Sequence, residues 1–85
     1  MLLKKKILEK YQSIRYFCKI NDISETTLYH YLRGKRPINN MRAATLSQIC
    51  TALECDPEDI GFTKSYWYVI PTNEKDKTRV FQYKL

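Results

Sequence analysis

The stretch SIRYFCKINDISETTLYHYLRGKR, residues 13–36, decides the fold. Ser13 can cap a helix by accepting from a free backbone N–H of its first turn, and Ile14, Phe17, Cys18 and Asn21 follow at a spacing that places them on one helical face. That helix reads as far as Ile20. Asn21 and Asp22 then make a turn, because both residue types tolerate left-handed backbone geometry and bond to their own main chain, ending a helix almost as glycine does. Ile23 anchors the turn, Ser24 caps again, and a further helix runs from about Glu25 to Arg33 with Leu28 and Tyr31 inward. Gly34 stops it where positive φ is needed. Two short helices separated by about three residues have the spacing of a helix-turn-helix. The outward side chains of the second, Glu25, Thr26, Thr27, Tyr29 and His30, are not core residues, but together they form a set of hydrogen-bonding groups.

Toward the N-terminus, Leu3, Ile7, Leu8 and Tyr11 form a helical stripe, while Lys4, Lys5, Lys6, Glu9 and Lys10 fill the opposite side. The lysine run reads as a solvated face or as a set of phosphate contacts. Toward the C-terminus, a basic Pro/Asn-rich loop from Lys35 to Asn40 precedes a helix over roughly Met41–Glu54, with Leu46, Ile49, Cys50 and Leu53 at helical spacing. Asp56 caps a final short turn, Pro57–Ile60, whose first position suits proline. The period then changes. YWYVIP (66–71) and TRVFQYKL (78–85) are rich in β-branched and aromatic residues, with the polar segment 72–77 as a turn between them. The expected fold is mainly α: a four- to five-helix bundle over residues 1–62 and a β-hairpin over 63–85, the hairpin being too small to stand without a packing partner.

Eighty-five residues suffice for one domain and carry a net charge of +6, which favours a polyanionic partner. Residues 1–53 contribute +7, residues 54–62 contribute −4, and residues 63–85 contribute +3, so the acidic segment is expected to turn away from the polyanion. Cys18, Cys50 and Cys55 lack metal-ligand spacing, and His30 is the only histidine, so no metal or other cofactor is expected and the thiols read as reduced and structural. No Gly-rich phosphate loop or paired metal ligands point to an enzyme. The N-terminal run MLLKKKILEKYQ has neither a signal peptide's nor a membrane span's apolar length, so a soluble, cytoplasmic protein is expected.

Residues 5–62 resemble the Cro/C1-type helix-turn-helix family of phage repressors, Cro proteins and antitoxins. The resemblance rests on Ser13, Phe17, Cys18, Ile23, Ser24, Leu28, Tyr31 and the run Arg33-Gly34-Lys35-Arg36, in register with Leu46-Ser47-Gln48-Ile49-Cys50 and Asp56-Pro57-Glu58-Asp59-Ile60. Asp22 stands where glycine is commonest, Ser13-Ile14 stand where a glutamine often clamps a phosphate, and the loop from Lys35 to Met41 is longer than usual. The resemblance implies that the helix over residues 25–33 enters the major groove of duplex DNA.

On that basis Glu25, Thr26, Thr27 and His30 are expected at base edges, where Glu25 could accept from a cytosine amino group. Ser13, Tyr29, Arg33, Lys35, Arg36 and Arg42 are expected at phosphates, which position the helix rather than read sequence. Plainer roles stand beside these: Thr27 as padding of the helix start, Tyr29 as half-buried packing, and His30 as an ordinary exposed imidazole. One such module binds weakly, so a homodimer on a palindromic operator is expected, with Trp67, Tyr68, Val69, Phe81 and Tyr83 of the hairpin as its interface. The hairpin could instead cover its own helices, grip a protein partner as in an antitoxin or anti-repressor, or touch DNA through Lys75, Lys77 or Arg79. The expected activity is that of a phage or mobile-element transcriptional repressor.

Overall fold

The computed structural model describes residues 2–69 and 79–83. The chain runs through α1 (Leu2–Lys10), α2 (Ile14–Asn21), α3 (Glu25–Leu32), a 3-10 turn at Ile38–Asn40, α4 (Ala43–Leu53), a second 3-10 turn at Pro57–Ile60, and strands β1 (Tyr66–Val69) and β2 (Val80–Tyr83). It is mainly helical with an antiparallel C-terminal hairpin, as the sequence leads one to expect. The expected turn at 72–77, with Lys75 and Lys77, lies outside the described residues.

Local chemistry sets the boundaries. Ser13 Oγ accepts from the Tyr16 N–H at 3.1 Å and Ser24 Oγ accepts from the Thr27 N–H at 3.3 Å, satisfying donors that the first helical turn leaves free. One device closes three segments. Asp22, Glu54 and Gly61 take left-handed geometry, and the next N–H returns to the carbonyl five residues back: Ile23 to Cys18, Cys55 to Cys50, Phe62 to Pro57. All six residues of these pairs are buried. Asp59 completes the last turn, its carboxylate accepting from the Asp56 N–H at 2.9 Å.

Leu3 and Ile7 of α1, Phe17 of α2, Leu28 and Tyr31 of α3, Leu46 and Ile49 of α4, and Ile60, Phe62 and Phe81 form one apolar cluster. Leu8, expected inward, is 46% exposed. It lies next to Ile7 on a nine-residue helix that buries only Leu3 and Ile7. The fourth helix begins at Ala43 rather than near Met41. Met41 is fully buried, but with extended backbone, because the preceding Ile38–Asn40 turn spends those residues on a separate bend. Asn39 ties this bend to the approach to the hairpin: its amide donates to Thr63 Oγ1 at 2.8 Å and its carbonyl accepts from the Thr63 N–H at 2.9 Å.

The hairpin pairs Tyr66 with Tyr83, Trp67 with Gln82, Tyr68 with Phe81 and Val69 with Val80. Its β2 side docks on α4 through two hydroxyls one helical turn apart. Ser47 Oγ accepts from the Phe81 N–H at 2.9 Å, while Thr51 Oγ1 accepts from the Arg79 N–H at 2.7 Å and donates to the Arg79 carbonyl at 3.3 Å. Helix α4 thus stands in for a third strand, covering an edge that would otherwise expose unpaired backbone groups. Phe81 drops into the core at 2% exposure, and Tyr83 stacks on Phe62 with ring centroids 5.5 Å apart. Burying a side chain of Phe81's size stabilises by about 1.5–3 kcal/mol, which holds a hairpin that would be marginal alone.

Candidate nucleic-acid interface

Packing decides which side of α3 is free. Leu28 and Tyr31 are buried, so residues at the intervening positions turn outward. Glu25, Thr26, Tyr29, His30, Arg33 and Lys35 line one shallow recess of about 220 Å³ along that outer side. Of the expected base readers, Glu25 and Thr26 are exposed at the N-terminal end, and His30 is half-buried one turn further on. Thr27 stands apart: it is half-buried and its N–H is engaged by the Ser24 cap.

The basic residues cluster at the other end of the helix. The Arg33 guanidinium lies 5.1 Å from the centre of the Tyr29 ring, a cation–π contact one turn apart that gives both side chains a common position. The Arg36 N–H donates to the His30 carbonyl at 3.1 Å, folding the chain after Gly34 back against α3 and keeping exposed Lys35 and Arg36 beside Arg33. Positive charge here also complements the C-terminal end of the α3 dipole. Arg42 is exposed just ahead of α4, and Ser13 is exposed at the start of α2, where its oxygen serves as the helix cap.

One charged partner at the site has no signature in the sequence. The Arg15 Nε of α2 lies 3.8 Å from the Glu25 Oε1 of α3, and both residues line a cleft of about 370 Å³ with Cys18, Lys19, Asp22 and Ile23. Burial, with a contribution from the Glu25 charge, raises the Cys18 pKa. The pairing crosses the turn between two helices, where neither helical period nor residue spacing could reveal it.

Three acidic residues of the 54–62 segment are engaged with other groups. Glu54 pairs with Lys10 at 3.2 Å, Asp56 with Arg79 at 3.5 Å, and Glu58 accepts from the Tyr66 hydroxyl at 2.7 Å. Burial, then this bond to Glu58, raises the Tyr66 pKa. Cys50 and Cys55 are both free and buried, and the neighbouring Cys55 thiol, then burial, raises the Cys50 pKa.

The expected interface residues of the hairpin divide. Phe81 is committed to the protein's own core and Tyr83 to Phe62, whereas Trp67, Tyr68 and Val69 are 50%, 48% and 40% exposed. Tyr68 shares the inner face with Phe81, its ring centroid 5.3 Å away, and Trp67 and Val69 take the outer one. Arg79 donates to the Cys55 carbonyl at 2.9 Å. Among the described residues there is no group of three or more His, Cys, Asp or Glu side chains able to hold a metal, and no helix long and apolar enough to cross a membrane.

No curated protein and no solved structure matches the chain. A family model described as the Cro/C1-type HTH DNA-binding domain matches residues 2–61, from α1 through the Pro57–Ile60 turn. With the helix pair, its caps and its polar outer face in place, the chain belongs to the Cro/C1-type helix-turn-helix DNA-binding family, and it is a DNA-binding regulator.

Proposed function

We propose that the protein is a transcriptional repressor that binds a palindromic operator as a homodimer, reading bases with the N-terminal half of α3 and gripping phosphates at its C-terminal end. The observation that carries this is the segregation along one recess: Glu25 and Thr26 at one end, Arg33 and Lys35 at the other. Base edges in the major groove demand directional donors and acceptors, whereas phosphates demand cations. Repression follows if the occupied operator excludes the polymerase.

The hairpin supports self-association. Because the Phe81 N–H points to Ser47, the facing Tyr68–Phe81 pair is a non-hydrogen-bonded one, and the Tyr68 N–H and carbonyl point outward from β1. Among the described residues no strand pairs with that edge. A second copy adding its own β1 there would join two reading heads on opposite sides of a two-fold axis, matching half-sites about 34 Å apart. The same exposed trio, Trp67, Tyr68 and Val69, also suits a protein partner, as for an antitoxin or anti-repressor.

Equilibrium binding to duplex DNA at graded salt tests the reading. Arg33, Lys35, Arg36 and Arg42 supply four candidate phosphate contacts per protomer. With each neutralised phosphate contributing about −0.9 to the slope of log K against log salt, a dimer is expected near −7. Arg33→Ala weakens all duplexes alike and flattens the slope by about 2 for the dimer, one contact being lost per protomer. A flat salt dependence with no preferred duplex would sink the proposal, and a stoichiometric partner protein that displaces the homodimer would favour the alternative.

A further inference from the structure

We propose that Arg15 is a specificity-determining positioning residue, holding one oxygen of the Glu25 carboxylate from α2 so that the other is presented to a base amino group. This rests on the placement of α3 in the major groove. An acid at the leading end of a DNA-reading helix repels phosphate on every sequence and repays that only at a base offering a donor, such as the cytosine or adenine amino group. Left alone, the Glu25 side chain would also lose rotamer freedom each time it docked.

The geometry supplies a counter-charge for this carboxylate. Arg15 faces Glu25 Oε1 at 3.8 Å, with the Arg15 side chain 88% and the Glu25 side chain 45% exposed. Glu25 lines both the α2–α3 cleft and the recess along α3, so its carboxylate lies between Arg15 and the outer side of α3. Lys19 and Asp22 line the same cleft, but among the described residues the Arg15 pair is the ion pair that Glu25 makes. In free solution so open a pair contributes little. Once DNA excludes water from the cleft, the same separation counts for more, because the effective dielectric falls. Arg15 therefore acts through Glu25, and its effect appears as discrimination at one base pair.

The test is a double-mutant cycle on the full chain. Affinity is measured for the preferred duplex, recovered by selection with the wild type, and for that duplex changed at the base pair whose preference Glu25→Gln alters. Arg15→Ala should cut the roughly tenfold or greater preference at that position to less than about threefold, leaving preferences elsewhere intact. In the Glu25→Gln background Arg15→Ala should leave the remaining preference unchanged, since an amide needs no counter-charge. Arg15→Lys should restore part of the discrimination. Arg15 is too exposed for its loss to affect folding, which a thermal melt checks. A uniform loss across duplexes in both backgrounds would make Arg15 a phosphate contact and overturn the proposal, as would no change at all. Failure of the underlying DNA-reading role would be visible separately, as a wild-type protein without any preferred duplex.

Discussion

Ser47→Ala is the substitution that probes the architecture most sharply, because it removes a single oxygen from the seam between α4 and the hairpin. The Phe81 N–H that it accepts from is buried, and alanine leaves that donor with no partner, at a cost of about 1–3 kcal/mol. Thr51→Val removes a donor and an acceptor facing part-buried Arg79 and should cost a similar amount. The two positions serve the same strand, so the double variant should lose less than the sum once the hairpin detaches as a unit. Urea denaturation reads the effect, with a slope of about 1 kcal/mol per molar for so small a protein, so Ser47→Ala should lower the midpoint by about 1–3 M. Trp67 is the single tryptophan and lies in β1, so its fluorescence follows the hairpin while far-UV circular dichroism follows the helices. In the double variant the fluorescence transition should precede the dichroism transition. A Ser47→Ala midpoint within about 0.3 M of wild type would show that the seam is not held as described.

Three further outcomes are expected. Glu54→Gly should raise stability by up to about 1 kcal/mol in the same denaturation assay, since Glu54 holds φ 52° at a helix end where glycine carries no steric penalty, and its exposed bond to Lys10 contributes little. Stability should fall as pH rises past about 10: the Tyr66 and Tyr83 pKa values are raised in the folded protein, so the unfolded chain loses these protons first, and Tyr66→Phe should shallow the decline seen in pH-dependent melts. Trp67→Lys, on the exposed outer face of β1, should leave the melting temperature within a few degrees of wild type yet yield a monomer by sedimentation.

Much of the helical half is legible in the sequence because its signals are local. Ser13, Ser24, Asp22 and Gly34 each mark a helix end through their own backbone or capping chemistry, and Phe17, Leu28 and Tyr31 mark faces through spacing alone. The same reasoning fails where the deciding contact is distant. Ile38–Asn40 reads as loop because the bonds that fix Asn39 come from Thr63, 24 residues away. Phe81 and Tyr83 alternate as strand residues should, yet nothing in a strand tells whether its apolar face meets a partner chain or its own core; here Ser47 and Thr51 on α4 decide it. Two hydroxyls at a four-residue spacing on a helix carrying Leu46, Ile49 and Cys50 are a signal that could have been read. At α3 the sequence shows which groups face outward, whereas the partner of Glu25 emerges only once α2 and α3 are packed.

In vitro selection of random duplex DNA by the purified full chain tests the central claim most directly. The account predicts enrichment of an inverted repeat with half-sites about 34 Å apart, together with a fixed base pair whose identity changes when Glu25 is replaced. Recovery of no sequence above the starting pool, or of a single asymmetric site bound by one protomer, would contradict it.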